Sequence, residues 1–146
     1  MNELASFVAV FPSDAKLLGF ARSFVENVGR YYGIDDGSLE SLVLAVHEAV
    51  QNIVRHAHSG RDGARIELRG RRLESGAIEV QLIDQGQPFD IASVPHLDPG
   101  EVRLGGRGVF LIRRLVDEVY CEPCKPSGNV LRLVKYPRKL ARPANW

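Results

Sequence analysis

The sequence predicts an α+β fold: a two-layer sandwich in which about three helices cover one face of a mixed, mostly antiparallel sheet. Three observations carry this expectation. Apolar and polar residues alternate through two neighbouring segments, "ARIELRGRRL" and "AIEVQLID", split only by "ESG", the pattern of a β-hairpin. Three other stretches place apolar residues at helical spacing. The segments follow one another as β-α-α-β-β-loop-α-β-β, so strands joined by tight turns alternate with helices that need a sheet to cover their apolar stripes.

The first strand is expected in "ELASFVAVF", rich in β-branched and aromatic residues. "PSDAKLLGFARSFVENVGRYYG" then reads as a helix, with Ser13 as its N-cap, Leu17, Ala21, Phe24 and Val28 on one face, and Gly33 at its end. A second helix is expected from about Asp36 to His58. Its core stripe is Leu39, Val43, Val46, Val50, Ile53 and Ala57, and it closes at "SGRDG". After the hairpin the pattern dissolves. Residues 85–106, "QGQPFDIASVPHLDPGEVRLGG", hold several Gly and Pro and no clear period. Connections of that length inside a compact domain are usually lids or binding loops. A third helix, "RGVFLIRRLVDEV", follows the glycines, and strands around "VYCEP" and "NVLRLVKY" complete the order.

At 146 residues the chain is expected to form a single domain spanning 1–146, since that length suffices for one core and is short for two. It carries 19 basic and 18 acidic residues, which gives no bulk drive toward nucleic acid or an anionic membrane. No stretch approaches the ~18 apolar residues of a membrane span, and the N-terminal stretch lacks a basic leader. The expected location is therefore the cytoplasm. The two cysteines, Cys121 and Cys124 in "CEPC", lack the two further ligands a zinc site needs. A redox dithiol and two incidental thiols both fit the spacing, and the second reading is the simpler.

Three places carry candidate chemistry. In "HEAVQNIVRHAH" Glu48 and Asn52 lie four residues apart, opposite the core stripe, with Ser41 and Arg55 beside them and His56 four residues beyond Asn52. Ala45 and Ala49 flank the row and leave room for a ligand to approach the backbone. By spacing alone, an ordinary solvated helix face is the favoured reading of this row. In "LIDQGQPFD" a strand ends at Asp84, two residues before Gly86. A carboxylate there can accept a hydrogen bond from an exocyclic amine while the glycine admits a flat ring, although a plain strand exit also uses Asp and Gly. In "LGGRGVFLIRRL", Gly105, Gly106 and Gly108 stand at the mouth of a helix. Exposed N–H groups and the positive helix end would favour a phosphate, and a hinge is the plain alternative. The pattern is neither a P-loop nor a dinucleotide fingerprint.

Taken together and in this order, the three places resemble the GHKL (histidine-kinase-like) ATPases, the superfamily of gyrase, heat-shock chaperones, histidine kinases and mismatch-repair ATPases. "HEAVQNIVRHA" resembles the box that carries the base and metal ligand, "DQGQPFD" the adenine-contacting box, and "GGRGVFLI" the glycine box at the end of the ATP lid. Within the superfamily the chain looks most like the small stand-alone anti-sigma factor serine/threonine kinases. It has no room for a phosphoacceptor helix pair or a transducer domain, and its "GQPFD" and compact third helix are similar to theirs.

The resemblance implies ATP and Mg²⁺ as ligands and a lid over about residues 85–106. It implies that Asn52 ligates Mg²⁺ and that Glu48 acts as general base on a protein serine or threonine. Asp84 would accept from the adenine amine beside Gly86, while Gly105, Gly106, Arg107 and Gly108 would wrap the phosphates. Arg55 and His56 would contact phosphate or hold the lid, a surface role being equally open for both. The implied partners are an anti-anti-sigma (STAS-type) protein, a sigma factor and a second copy of the chain, with no direct nucleic acid or membrane partner. There is one departure: "SGNVLRL" puts Asn129 where the family often has threonine, expected to weaken a phosphate contact that Ser127 could supply instead. The competing readings are a nucleotide-dependent binding switch with little or no kinase activity, and a domain cut from a larger regulator. The starting Met and the polar tail after Tyr136 speak for a whole domain.

Overall fold

A computed structural model describes residues 6–57, 63–85, 107–123 and 128–138. Strand β1 (Ser6–Pro12) leads into a 3-10 turn (Ala15–Leu17) and helix α1 (Leu18–Tyr32). The turn is capped by Asp14, whose carboxylate accepts from the Lys16 N–H at 2.9 Å. Ser13, the expected cap, instead extends the β1–β2 ladder through its own N–H. Its hydroxyl is buried with no hydrogen-bond partner. The cap therefore lies one residue later than the sequence suggested, and the expected helix begins as a 3-10 turn. Helix α1 ends at Gly33, which adopts φ 74°, the left-handed conformation that closes a helix and that glycine takes without strain.

Helix α2 (Asp36–Asn52) starts at Asp35, whose carboxylate accepts from the Ser38 N–H at 2.9 Å. It runs without a break into a π-helical turn (Ile53–Ala57). The hairpin follows as β2 (Arg65–Arg72) and β3 (Ile78–Asp84). Helix α3 (Arg107–Leu115) and strands β4 (Glu118–Pro123) and β5 (Asn129–Lys135) complete the described elements. The sheet order is β1-β2-β3-β5-β4, and every pair in it is antiparallel, so the sheet is uniform where a mixed one was allowed for.

All three helices lie on one face. Helix α1 packs on β2, α2 on β3 and β5, and α3 beside α2 next to β4. The core joins Val25, Leu42, Val46 and Val50 to Ile66, Leu68, Val80, Leu82 and Leu133, all essentially inaccessible to solvent. Helix α2 is flanked by helices and floored by the sheet, so it buries more than one stripe. Leu42, Ala45 and Ala49 are as buried as Val46 and Val50, whereas Val43 of the expected stripe is only half-buried. Two small residues set the spacing of the layers. Gly29 of α1 faces Leu39, which a Cβ there would strike, and Gly70 of β2 sits under Val28.

Candidate functional site

The polar row of α2 lies at its C-terminal end. Glu48 and Asn52, one turn apart and on one face, are both half-buried. Immediately after Asn52 the helix widens into the π turn, and the Ile53 N–H reaches both the Ala49 and Val50 carbonyls. Such widened turns recur at functional sites because they re-aim the side chains on either side. Arg55, on this turn, is exposed. His56 lies on it too, with its side chain outside the described residues. Ala45 and Ala49 do not flank an open cleft as expected. They are sealed in the core between the helices and the sheet, so any ligand meets this helix along Glu48 and Asn52.

Asp84 ends β3 and is 3% exposed. Its cross-strand partner is Asn129, the first residue of β5, itself buried. The Asn129 amide Nδ2 donates to Asp84 Oδ1 at 3.4 Å. A carboxylate in such a position needs donors to offset its desolvation, and Asn129 supplies one. Asn129, expected to weaken a phosphate contact, thus turns its side chain to Asp84. Gly128 makes the pairing possible. It has φ 106°, and a Cβ on it would stand 2.5 Å from the Asp84 carbonyl oxygen and 3.2 Å from Gln85 Cα. Sequence reasoning passed over Gly128. The signal was present as a Gly-Asn pair opening the strand opposite "DQG".

The topology brings these groups to one end of the sheet. Asp35, at the start of α2, also accepts from the Arg138 N–H at 2.8 Å, and Arg138 lies just past the end of β5. Helix α2 therefore starts beside the end of β5 and crosses the sheet toward its beginning, where Asn129 meets Asp84. Helix α3 runs the other way. Its last residue, Leu115, lines a surface groove together with Asp36, Leu39 and Glu40 at the start of α2, so its first residues, Arg107 and Gly108, point toward the Asn52 end. The positive end of the α3 dipole faces the same region. Gly86, Gly105 and Gly106, like most of the expected lid and Ser127, lie outside the described residues, as does the side chain of Arg107.

Half-buried Glu48 offers a proton acceptor and Asn52 an amide oxygen. Asp84 offers a buried acceptor held by a neighbouring amide. Among the described residues no group of three or more His, Cys, Asp or Glu is placed to hold a metal ion. A single hard oxygen ligand such as the Asn52 amide suits an ion that takes its remaining ligands from phosphate and water. Cys121 stands half-buried on β4, and Cys124 lies outside the described residues. No helix among the described residues is long and apolar enough to cross a membrane.

Three helices on one face of an antiparallel sheet, with Glu48 and Asn52 late on the central helix and Asp84 at a strand end, agree with the GHKL-type ATPase domain that the motifs resemble. Residues 11–135 match the family model described as the histidine kinase-like ATPase domain, and the chain belongs to that family. It is 31% identical over 133 residues to the serine-protein kinase RsbW of Oceanobacillus iheyensis, covering 86% of this chain and 82% of that one. It is 31% identical to RsbW of Listeria monocytogenes over 116 residues, 74% and 73% of the two chains. The fold is similar to a chain in the SiaB–SiaC complex of Pseudomonas aeruginosa, with TM-score 0.68, 18% identity and 88% and 89% of the two chains covered. It is also similar to a structure of RsbU and RsbW domains from Mycobacterium tuberculosis, with TM-score 0.67, 17% identity, 91% of this chain and 32% of that one.

Proposed function

We propose that the chain is an ATP-dependent protein serine/threonine kinase that also acts as an anti-sigma factor, phosphorylating an anti-anti-sigma (STAS-type) partner and sequestering a sigma factor in the cytoplasm, and that it works as a homodimer. The observation that carries the reading is the grouping of Glu48 and Asn52 of α2 at the same end of the sheet as the buried Asp84–Asn129 pair. The serine-protein kinases among its relatives, matched over most of their length, support it.

In this reading Asp84 accepts from the adenine amine, and Asn129 holds its carboxylate in place. Gly86 admits the ring, and Gly105, Gly106, Arg107 and Gly108 close over the phosphates, with Arg55 and His56 beside them. Asn52 would hold Mg²⁺, which supplies positive charge to the phosphate oxygens when bound. Glu48 takes the proton of the substrate hydroxyl as its oxygen attacks the γ-phosphorus. The bond to the bridging oxygen breaks, ADP leaves, and the protein substrate keeps the phosphoryl group. Positioning is most of the catalysis in such a transfer, so a rigid α2 end is the property the fold must deliver.

The test is transfer of radiolabelled phosphate from ATP to a candidate antagonist. The expected result is transfer that falls by ~100-fold or more in Glu48→Ala, the scale of a lost general base, with ATP affinity kept. ATP binding without transfer to any antagonist would leave the chain a nucleotide-dependent binding switch.

A further inference from the structure

The chain that leaves β5 is fixed at two points. The Tyr136 N–H donates to Asp117 Oδ2 at 2.6 Å, just past the end of α3. The Arg138 N–H donates to Asp35 Oδ1 at 2.8 Å, at the cap of α2. The surface groove of about 720 Å³ is lined by residues beside both points, Leu115 of α3 and Asp36 of α2. The chain therefore reaches Arg138 at the mouth of that groove. Eight residues follow, "KLARPANW", outside the described residues. Lys139 and Arg142 are basic, none is acidic, and Trp146 is the single tryptophan of the chain.

The groove is walled by α1 and α2. Its apolar part is Leu39, Val43, Leu44 and Leu115, and Leu44 is 45% exposed. Its acidic part is Glu26 of α1 with Asp36 and Glu40 of α2. Among the described residues none of these three carboxylates enters an ion pair. Two arginines also line the groove, and each is already in use. Arg22 donates to His47 Nδ1 at 2.8 Å. Arg30 stands in the last turn of α1, where the helix dipole favours a positive charge. The groove thus offers negative charge beside apolar surface, and the segment that starts at its mouth offers positive charge beside apolar side chains.

We infer that residues 139–146 occupy this groove, as an intramolecular strap across the α1–α2 face. Lys139 and Arg142 meet the Asp36, Glu40 and Glu26 carboxylates. Leu140 and Trp146 cover Leu39, Val43, Leu44 and Leu115. Reach is ample: extended at ~3.3 Å per residue, the segment spans about 26 Å. From Asp36 to Leu44 is about 12 Å of helix at 1.5 Å per residue. Pro143 favours the extended form, because it steers Arg142 away from the helical region. The anchor at Arg138 holds the segment beside its site, so contacts too weak for a free peptide suffice. At its far end the crevice reaches Arg22 and His47, one residue before Glu48. A protein substrate that approaches Glu48 along α1 and α2 must displace the strap. This competition follows from the kinase reading above; the docking is independent of it.

Trp146 is its own reporter, and the experiment is acrylamide quenching of its fluorescence in the full chain. Quenching is expected to be severalfold weaker in the native chain than in urea, and unchanged on dilution. Lys139→Glu with Arg142→Glu, which alters only the segment, should raise quenching to the level in urea. Glu26→Lys with Glu40→Lys should do the same from the other side, and the four substitutions together should restore protection. Tyr120→Lys, exposed on β4, should change nothing. Should the Glu26 and Glu40 pair fail to fold, carbodiimide cross-linking of the unaltered chain reads the same contact, as a link from Lys139 to Asp36 or Glu40 within one chain. Trp146 as open in the native chain as in urea, protection that fades on dilution and so belongs to a second copy, or a Lys139→Glu, Arg142→Glu chain that stays protected would overturn the assignment. ATP binding measured on the same variants keeps the two readings apart, because none of these substitutions touches the proposed nucleotide site.

Discussion

At the scale of single residues, the pairing of Asp84 with Asn129 changes what a sequence comparison suggests. An amide in place of threonine reads on paper as a loss. In the fold it is a donor aimed at a buried carboxylate. Removing it in Asn129→Ala deprives Asp84 of that donor, a change of about 1–3 kcal/mol for a buried polar group. The expected outcome is ATP affinity lower by ~10-fold or more by calorimetric titration, with phosphoryl transfer at saturating ATP little altered. An equal fall in saturated transfer would place Asn129 nearer the phosphates.

The elements carry two further predictions. Gly29 lets α1 approach α2, and a Cβ there meets Leu39. Alanine favours a helix interior by about 1 kcal/mol over glycine, but overpacking costs about 1–3 kcal/mol. Gly29→Ala should therefore lower the urea midpoint despite its better helix propensity; a raised midpoint would mean that Leu39 moves aside freely. Asp35 joins the start of α2 to the chain beyond β5. Partial burial pushes its carboxyl pKa up, but the Ser38 and Arg138 hydrogen bonds outweigh this and hold it below its ordinary value. Its stabilisation is present above the unfolded-state value of about 3.9 and is lost as pH falls through the lower folded value. Asp35→Asn should flatten the acid limb of a stability–pH curve measured between about pH 5 and 2. An unchanged acid limb would assign that slope to other carboxylates.

The order of elements was legible from the sequence because the sheet has one covered face, so its strands alternate and its helices carry stripes. The breadth of burial on α2 was not. A stripe is what one neighbouring surface demands, and α2 has three, so Leu42, Ala45 and Ala49 are buried as well. The π turn after Asn52 was also hidden, since "IVRHA" is unremarkable helix by composition. Glu48, Asn52 and Asp84 could be picked out because their chemistry stands against an apolar background. Gly128 could not, because what leaves no room for a Cβ on it is the Asp84 carbonyl, distant in sequence and adjacent across the sheet.

At the scale of the whole molecule, the proposed site draws on α2, β3, β5 and the start of α3, so nucleotide and fold should be linked. A ligand that binds only the folded state stabilises it by ~2.7 kcal/mol at one hundred times its Kd. For a domain of this size that is a rise of several degrees in melting temperature. ATP with Mg²⁺ should give such a rise by scanning fluorimetry, and Asp84→Ala should remove it. A rise retained in Asp84→Ala would put the adenine elsewhere.

The hydrogen bond from Arg138 to Asp35 has a practical corollary for attaching anything to this protein. It pins the outgoing chain beside the first turn of α2, about 25 Å, the length of that helix at 1.5 Å per residue, from the end where Asn52 and Asp84 gather. A reporter or tether inserted directly after Arg138 thus starts at the far pole from the proposed nucleotide. One inserted directly before Ser6 starts at β1, an edge strand of the sheet. The two points are therefore unequal handles: the first keeps its cargo a helix length from the pocket, and the second sits on the rim of the sheet.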